Sequence, residues 1–465
     1  MIFIHTLSII IRIAKLFTII SYEFLKYNVI KLVNNVCNKP YNRLILIKNI
    51  SKRLEYENIV YVKIFQALCL NKDLLYSEEQ EFLLKYTDNV PYNINDINYD
   101  LLDKLEQTYS IKLNNVIPIN CGIIGLVFDG HDCANNKVII KMLKKNIVYK
   151  FTNVFDELLY ISYICNYIPY IKSLKLSNIL LDNKEILFNQ MDFIKEVNSL
   201  EIFTKKYKNN KEYRFPKVYR EITEKYHELM VMENIKGLTF KDIENADNTI
   251  KEEFAYLINK FNILGMLYHS TIHCDMHCGN VFFYINDPAN DPANDPTNDP
   301  ANDPANDPTN DPTNDPTNDP KYMLGLIDFG ICTFPNKESQ NAYYIFFNNI
   351  FYNHDYSDLE YVINNFIEEK YMLNLFSCVK KQTFYDEIIV CLELYSNHEL
   401  SKRALINKLA LLIYKYNMNF TQEFNKIILS IHTTHNFVKL LSSKPNDSLT
   451  KVIKELSLFN ELINI

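Results

Sequence analysis

All eight glycines of this 465-residue chain fall between Gly122 and Gly330, leaving the first 121 residues and the last 135 without one. Glycine is used where backbone turns sharply or lets another group approach closely. The distribution therefore predicts a strand-and-loop middle flanked by helical segments. Local periodicity agrees. Ile250, Phe254, Leu257, Ile258, Phe261, Leu264 and Leu267 recur at helical spacing and read as a core helix ending before His273. Segments 404–416 and 423–441 of the tail share that spacing. Lys137–Met142, Glu228–Met232, Val281–Tyr284 and Met323–Ile327 are apolar runs of strand length. Strands early, a long helix, then two short strands around a polar loop make an α+β arrangement of two lobes.

The last two strands are separated by an Asn-Asp-Pro-Ala/Thr repeat from Asn286 to Pro320, in nine copies with the last cut short. Proline at every fourth position blocks regular helix. With no large apolar side chain, the segment cannot offset the entropy of ordering and reads as an extended, disordered insertion. It lacks the EF-hand pattern of a central Gly and a terminal Glu, so specific calcium binding is not expected. The repeat also distorts the charge: without its nine aspartates the formal charge moves from −7 to +2. No basic block points to nucleic acid as a partner. Ten cysteines are scattered without pairing pattern, as expected of reduced thiols in an intracellular compartment.

The first twenty residues form an apolar run broken by His5, Arg12 and Lys15. A spanning helix needs about 20 apolar residues, and a central Arg or Lys costs roughly 2.5–3.5 kcal/mol. Two bases make spanning marginal. A basic amphipathic helix on a membrane surface, an organelle-targeting signal and a helix docked on the protein body all stay open.

Three segments carry chemistry, in order. Lys141 closes the run Val138-Ile-Ile-Lys-bearing strand, His273-Cys-Asp-Met-His-Cys-Gly-Asn280 follows the long helix, and Leu326-Ile-Asp-Phe-Gly330 follows the repeat. Phosphoryl transfer needs a lysine on the phosphates, an orienting carboxylate, and an amide oxygen with a second carboxylate for magnesium. Lys141, Asp275, Asn280 and Asp328 supply those groups in kinase-fold order. Glu196, in a helix-like stretch from Phe193 to Phe203, is the expected carboxylate partner of Lys141.

These residues resemble the UbiB/AarF atypical kinases, a group tied to ubiquinone biosynthesis. The family loop His-x-Asp-x-His-Pro-Gly-Asn is matched from His273 to Asn280 except for Cys278. Gln190-Met-Asp-Phe-Ile-Lys-Glu196 is similar to the family's Glu-x-Asp-(Phe/Tyr)-x-x-Glu. Lys63-Ile-Phe-Gln66 stands where the family has Lys-x-Gly-Gln, and 118–128 (PINCGIIGLVF) where it has an alanine-rich nucleotide loop. The resemblance covers roughly residues 58–334 apart from the repeat. It implies that Asp275 is the catalytic-loop aspartate, that Asn280 and Asp328 hold magnesium, and that Lys141 with Glu196 holds the phosphates. It implies nucleotide contacts at Gly122, Gly125 and Glu233, with Lys63 and Gln66 on a helix folded over the site. That helix makes protein phosphorylation in trans doubtful. Three departures stand out: Phe65 for glycine, Gln190 for the first acid, and 120–123 (NCGI) in place of alanines.

The expected fold is a two-lobed protein-kinase-like fold with a helical N-terminal extension and a helical C-terminal tail. Residues 1–50 form the apolar and basic helical region, 51–115 the extension with Lys63 and Gln66, and 116–465 the kinase-like domain interrupted at 286–320. The expected function is a magnesium- and ATP-dependent phosphotransferase or ATPase, acting on or regulated by a lipid or isoprenoid-like small molecule, with residues 1–20 at a membrane surface. Alternatives are a non-catalytic nucleotide-binding scaffold and a conventional protein kinase, whose Gly-x-Gly-x-x-Gly, His-Arg-Asp and Ala-Pro-Glu segments are missing here. Zinc held by His273, Cys274, His277 and Cys278 is disfavoured, because four ligands in six residues crowd one another.

Overall fold

The computed structural model describes residues 2–36, 43–61, 78–79, 82, 90, 92–165, 167, 184, 188–286, 320–368, 378–397, 399–400, 402–416 and 418–463. The chain divides into two compact units, one of residues 1–197 with 217–234, the other of 198–216 with 235–465.

The first unit opens with α1 (Ile2–Val36) and α2 (Arg43–Glu57), followed by α3 (Tyr99–Tyr109). A five-stranded antiparallel sheet is made of β1 (Lys112–Leu113), β2 (Asn120–Cys121), β3 (Gly125–His131), β4 (Lys137–Leu143) and, later in the chain, β6 (Leu229–Glu233). Helix α4 (Ile147–Cys165) follows β4, and the start of α5 (Phe193–Lys206) completes the unit before its excursion into the second; α6 (Arg220–Lys225) leads back into β6. Alternation along a strand sends successive side chains to opposite faces. In β4, Val138, Ile140 and Met142 are fully buried against Leu101, Leu102 and Leu105 of α3. Lys141 therefore stands on the other face of the sheet.

Helix α1 is docked on this unit. Ile9 and Ile13 are buried, Arg12 pairs with Glu157 of α4, and Lys15 pairs with Glu57 at 2.5 Å. The bases that made spanning marginal are thus used in ion pairs with the body. The outer side of α1 is apolar and exposed, with Leu7, Ile11, Phe17 and Leu25 each about half exposed or more. Among the described residues no helix is long and apolar enough to cross a membrane.

The second unit holds β5 (Tyr213–Arg214), α7 (Phe240–Ile243) and the buried helix α8 (Asn248–Leu264), which is capped by Asp247 accepting from the Thr249 amide at 2.8 Å. The helix continues as a π turn over Gly265–His269 and ends at Ser270 in left-handed conformation. Next come β7 (Ile272–His273), β8 (Val281–Ile285), β9 (Tyr322–Leu326) and β10 (Cys332–Thr333). Strands β8 and β9 are antiparallel, β5 joins β9 in parallel, and β7 pairs with β10. The tail is helical: α9 (Lys337–Ile345) with a π turn over Phe346–Tyr352, then α10 (Leu359–Phe366), α11 (Cys378–Ser396), α12 (Lys402–Lys415), α13 (Gln422–Leu441) and α14 (Pro445–Ile463). Helices α13 and α14 pack on α8. The result is an α+β, kinase-like fold with helical segments at both ends, as the sequence predicts.

Seven of the eight glycines fall in strands and loops, with Gly265 in the π turn that continues α8, and at two of them the reason is not turning. None has a positive φ. A Cβ at Gly130 would collide with the Lys112 carbonyl, and one at Gly265 with the Thr271 carbonyl. Close approach of two backbones, not bending, excludes a side chain there. The repeat from 287 to 319 lies outside the described residues; at its base the Asn286 amide donates to the Lys321 carbonyl at 2.8 Å, continuing the β8–β9 ladder.

Candidate functional site

In the first unit Lys141 and Glu196 meet, 55 residues apart in sequence. Lys141 Nζ lies 2.5 Å from Glu196 Oε1, with the two side chains 12% and 5% exposed. Lys141 is set by the β4 register, facing Val127 of β3 and Met230 of β6. Glu196 sits in the first turn of α5, where a carboxylate is favoured by the helix dipole. The turn between β2 and β3 is closed by the Gly122 amide donating to the Gly125 carbonyl at 2.9 Å. At Gly122 an added Cβ would meet only the Gly125 oxygen at 3.6 Å, an ordinary contact. Glu233 ends β6, and its carboxylate accepts from the Lys217 amide at 3.1 Å. Lys63 and Gln66 lie outside the described residues.

In the second unit two strand pairs bring the other segments together. The Cys274 amide donates to Ile331 O at 2.9 Å, and the Ile327 amide to Asn280 O at 3.0 Å, so the loops 273–281 and 326–332 are laced side by side. Asn280 Nδ2 donates to the Asp275 carbonyl at 3.0 Å, which turns its amide oxygen away from that bond. Asp328 has φ 64, the left-handed region, and its Oδ1 accepts from the Gly330 amide at 3.3 Å. Backbone held in that region costs about 1–2 kcal/mol in most residues and clusters at functional sites. Phe329 turns inward against Phe203 of α5, ring centroids 5.0 Å apart, and against the His273 ring at 5.2 Å.

The two loop histidines differ. His273 is fully buried, and its Nδ1 accepts from the Asp275 amide at 3.2 Å. Burial pulls its pKa below the usual 6.5, against the pull of Asp275 and Asp328. For His277 burial acts the same way, but hydrogen bonding to Asp275 and Cys278 and the Asp275 and Asp328 charges outweigh it, and its pKa is pushed up to about 10. Its Nε2 lies 3.6 Å from Asp275 Oδ2.

Support for the loop comes from far along the chain, and nothing in the sequence pattern announces it. Ser430 of α13 donates to the His273 carbonyl at 2.8 Å, and Asn262 of α8 donates to Ser430 Oγ at 2.9 Å and Thr434 at 2.6 Å. All of these side chains are buried. A single serine on one face of a helix has no signature apart from its fold.

Asn280 and Asp328 offer hard oxygen donors, an amide and a carboxylate. Magnesium is usually held by one or two protein groups with phosphates and water completing the shell, so the donor set fits that ion. Among the described residues no cluster of three or more His, Cys, Asp and Glu side chains is arranged to hold a metal.

The sequence profile of the ABC1 atypical kinase-like domain matches residues 94–362. A probable protein kinase UbiB from Blochmanniella pennsylvanica is 24% identical over 178 residues, 37% of this chain and 32% of that protein. An uncharacterised Synechocystis protein is 21% identical over 228 residues, 48% of this chain and 40% of that protein. The chain thus aligns with about a third to two-fifths of the length of these relatives. Among solved structures, an erythromycin complex from Mycobacterium tuberculosis has TM-score 0.36 and 14% identity, covering 70% of this chain and 78% of its own. The Rio2 kinase from Chaetomium thermophilum has TM-score 0.30 and 12% identity, covering 63% and 78%. The profile spans more than half of the chain and takes in Lys141, Glu196, Asp275, Asn280 and Asp328, so this chain belongs to the UbiB/ABC1 family of atypical kinase-like proteins.

Proposed function

We propose that this protein is a magnesium- and ATP-dependent phosphotransferase or ATPase. The observation that carries the reading is the closed Lys141–Glu196 pair, since a kinase-type site needs its phosphate lysine held by a helix carboxylate. In this reading Lys141 neutralises phosphate charge, with Gly122 and Gly125 beside the nucleotide and Glu233 beside the adenine. Lys63 and Gln66 are assigned to the segment over the site on the sequence motif alone. Asp275, about a third exposed, orients the attacking oxygen of water or an acceptor hydroxyl. Magnesium, held by Asn280 and Asp328, would supply counter-charge to the phosphates. Preorganised charge of this kind is the main resource for a reaction with little covalent chemistry of its own.

The acceptor or regulator is read as a lipid or isoprenoid-like small molecule rather than a protein, and the exposed apolar side of α1 favours a position at a membrane surface inside the cell. A thermal-shift titration with MgATP and MgADP tests the core of the proposal. Binding at a hundredfold excess over Kd stabilises by about 2.7 kcal/mol. A magnesium-dependent shift that Asp328→Asn removes is expected. No shift in folded protein would overturn the proposal; a shift without turnover, even with lipid vesicles added, would make the protein a nucleotide-binding scaffold.

A further inference from the structure

The backbone of Asp275 is tied on both sides. Its amide donates to His273 Nδ1 at 3.2 Å, and its carbonyl accepts from Asn280 Nδ2 at 3.0 Å. Neither bond fixes the carboxylate, which still turns about χ1 and χ2. A carboxylate that orients an attacking oxygen has to be held closely, since a displacement of about 1 Å can cost about a hundredfold in rate. Among the described residues one donor faces it: His277 Nε2 lies 3.6 Å from Asp275 Oδ2. That separation is just beyond a closed hydrogen bond, in the range over which catalytic contacts tighten as reactants bind.

The ring of His277 is itself held. Met276 before it is fully buried, and the His277 carbonyl accepts from the Asn280 amide at 3.0 Å, which fixes the backbone that carries the ring. The Gly279 amide donates to His277 Nδ1 at 3.0 Å. A Cβ at Gly279 would come within 3.0 Å of His277 Cε1 and 3.1 Å of Nδ1, so glycine leaves the ring its place across the loop. With Nδ1 facing the Gly279 N–H, a neutral ring carries its proton on Nε2, and a charged ring carries one there as well. In either state Nε2 presents an N–H to Asp275.

We propose that His277 is a positioning residue for phosphoryl transfer: its Nε2–H holds Asp275 Oδ2 and leaves Oδ1 to the attacking oxygen. The role rests on the phosphotransferase or ATPase reading above and asks for no contact between His277 and the nucleotide. The competing role is purely structural, in which the ring stiffens the turn through Gly279. Two variants separate them. Asn at 277 sets a polar group near the place of Nδ1, within reach of the Gly279 amide. Gln sets an amide N–H near the place of Nε2, within reach of Asp275.

The test is steady-state MgATP hydrolysis by the full chain, with and without mixed phosphatidylcholine–phosphatidylglycerol vesicles, beside the thermal shift given by MgADP. His277→Ala should lower kcat about 10- to 100-fold while leaving KM for MgATP and the MgADP shift unchanged, the pattern of an interaction felt only in the transition state. His277→Gln should recover most of kcat, and His277→Asn should not; this comparison decides if His277→Ala fails to fold. An unchanged kcat in His277→Ala, an effect confined to KM, recovery by Asn equal to that by Gln, or loss of the MgADP shift in folded His277→Gln would each overturn the proposal. A wild type that binds MgADP without turnover would remove this role together with the reading it rests on, whereas wild-type turnover matched by His277→Ala would remove this role alone.

Discussion

Lys141 Nζ and Glu196 Oε1 stand 2.5 Å apart with both side chains largely buried. The sheet alternation that buries Val138, Ile140 and Met142 in the core is the same alternation that turns Lys141 toward the helix carrying Glu196. Core packing and site assembly are one event here.

Removing one partner of a buried pair leaves the other charged and unpaired. Glu196→Ala is expected to cost about 3–5 kcal/mol in urea unfolding, while the paired change Lys141→Met with Glu196→Leu should cost much less than the single variant. If Glu196→Ala proves as stable as wild type at equal m-value, the pair is not formed in solution.

Asp328 separates charge from conformation. Asn tolerates left-handed backbone almost as well as Asp, but Ala does not. Asp328→Asn should therefore unfold near the wild-type midpoint, whereas Asp328→Ala should lose about 1 kcal/mol more. Equal stabilities of the two variants would mean that the residue does not hold φ 64 in solution.

Ser430→Ala leaves the His273 carbonyl and the Asn262 amide short of a partner in a buried setting. The expected loss is about 1–3 kcal/mol. Ser430→Thr, which keeps a hydroxyl, should lie closer to wild type unless its methyl group is excluded by packing. Hydrogen exchange at the Cys274 and Asp275 amides would report the loosened loop directly; unchanged protection in Ser430→Ala would refute this support.

His273 and His277 should titrate in opposite senses in the metal-free protein. His277, raised toward about 10 by Asp275, contributes stability that is complete below about pH 6.5 and is lost as pH rises through its folded value. His273, lowered by burial, contributes stability present above about pH 6.5 and lost as pH falls through its depressed value. Ring proton shifts followed by NMR would check both. Two midpoints near 6.5 would contradict the loop geometry.

Much of this was legible from local pattern. The expected strand Lys137–Met142 is found as Lys137–Leu143, and the expected Val281–Tyr284 as Val281–Ile285. The tail segment 423–441 is found as Gln422–Leu441. The long helix lasts to Leu264 and then loosens into a π turn, which periodicity does not signal because it reports apolar spacing rather than hydrogen-bond length. Glycine distribution located the strand-and-loop middle, yet the reason at Gly130 and Gly265 is a backbone neighbour that sequence does not reveal.

By itself the sequence determined where the central strands and the long helix run and the order of Lys141, Asp275, Asn280 and Asp328, because period and spacing act over a few residues. Tertiary structure alone decided that Ser430 holds the His273 carbonyl from 157 positions away, and that Arg12 spends its charge on Glu157, 145 positions away, rather than in a lipid interface. Such partners are chosen by which buried polar groups packing brings within hydrogen-bond reach, and that depends on the whole fold rather than on any window of the chain.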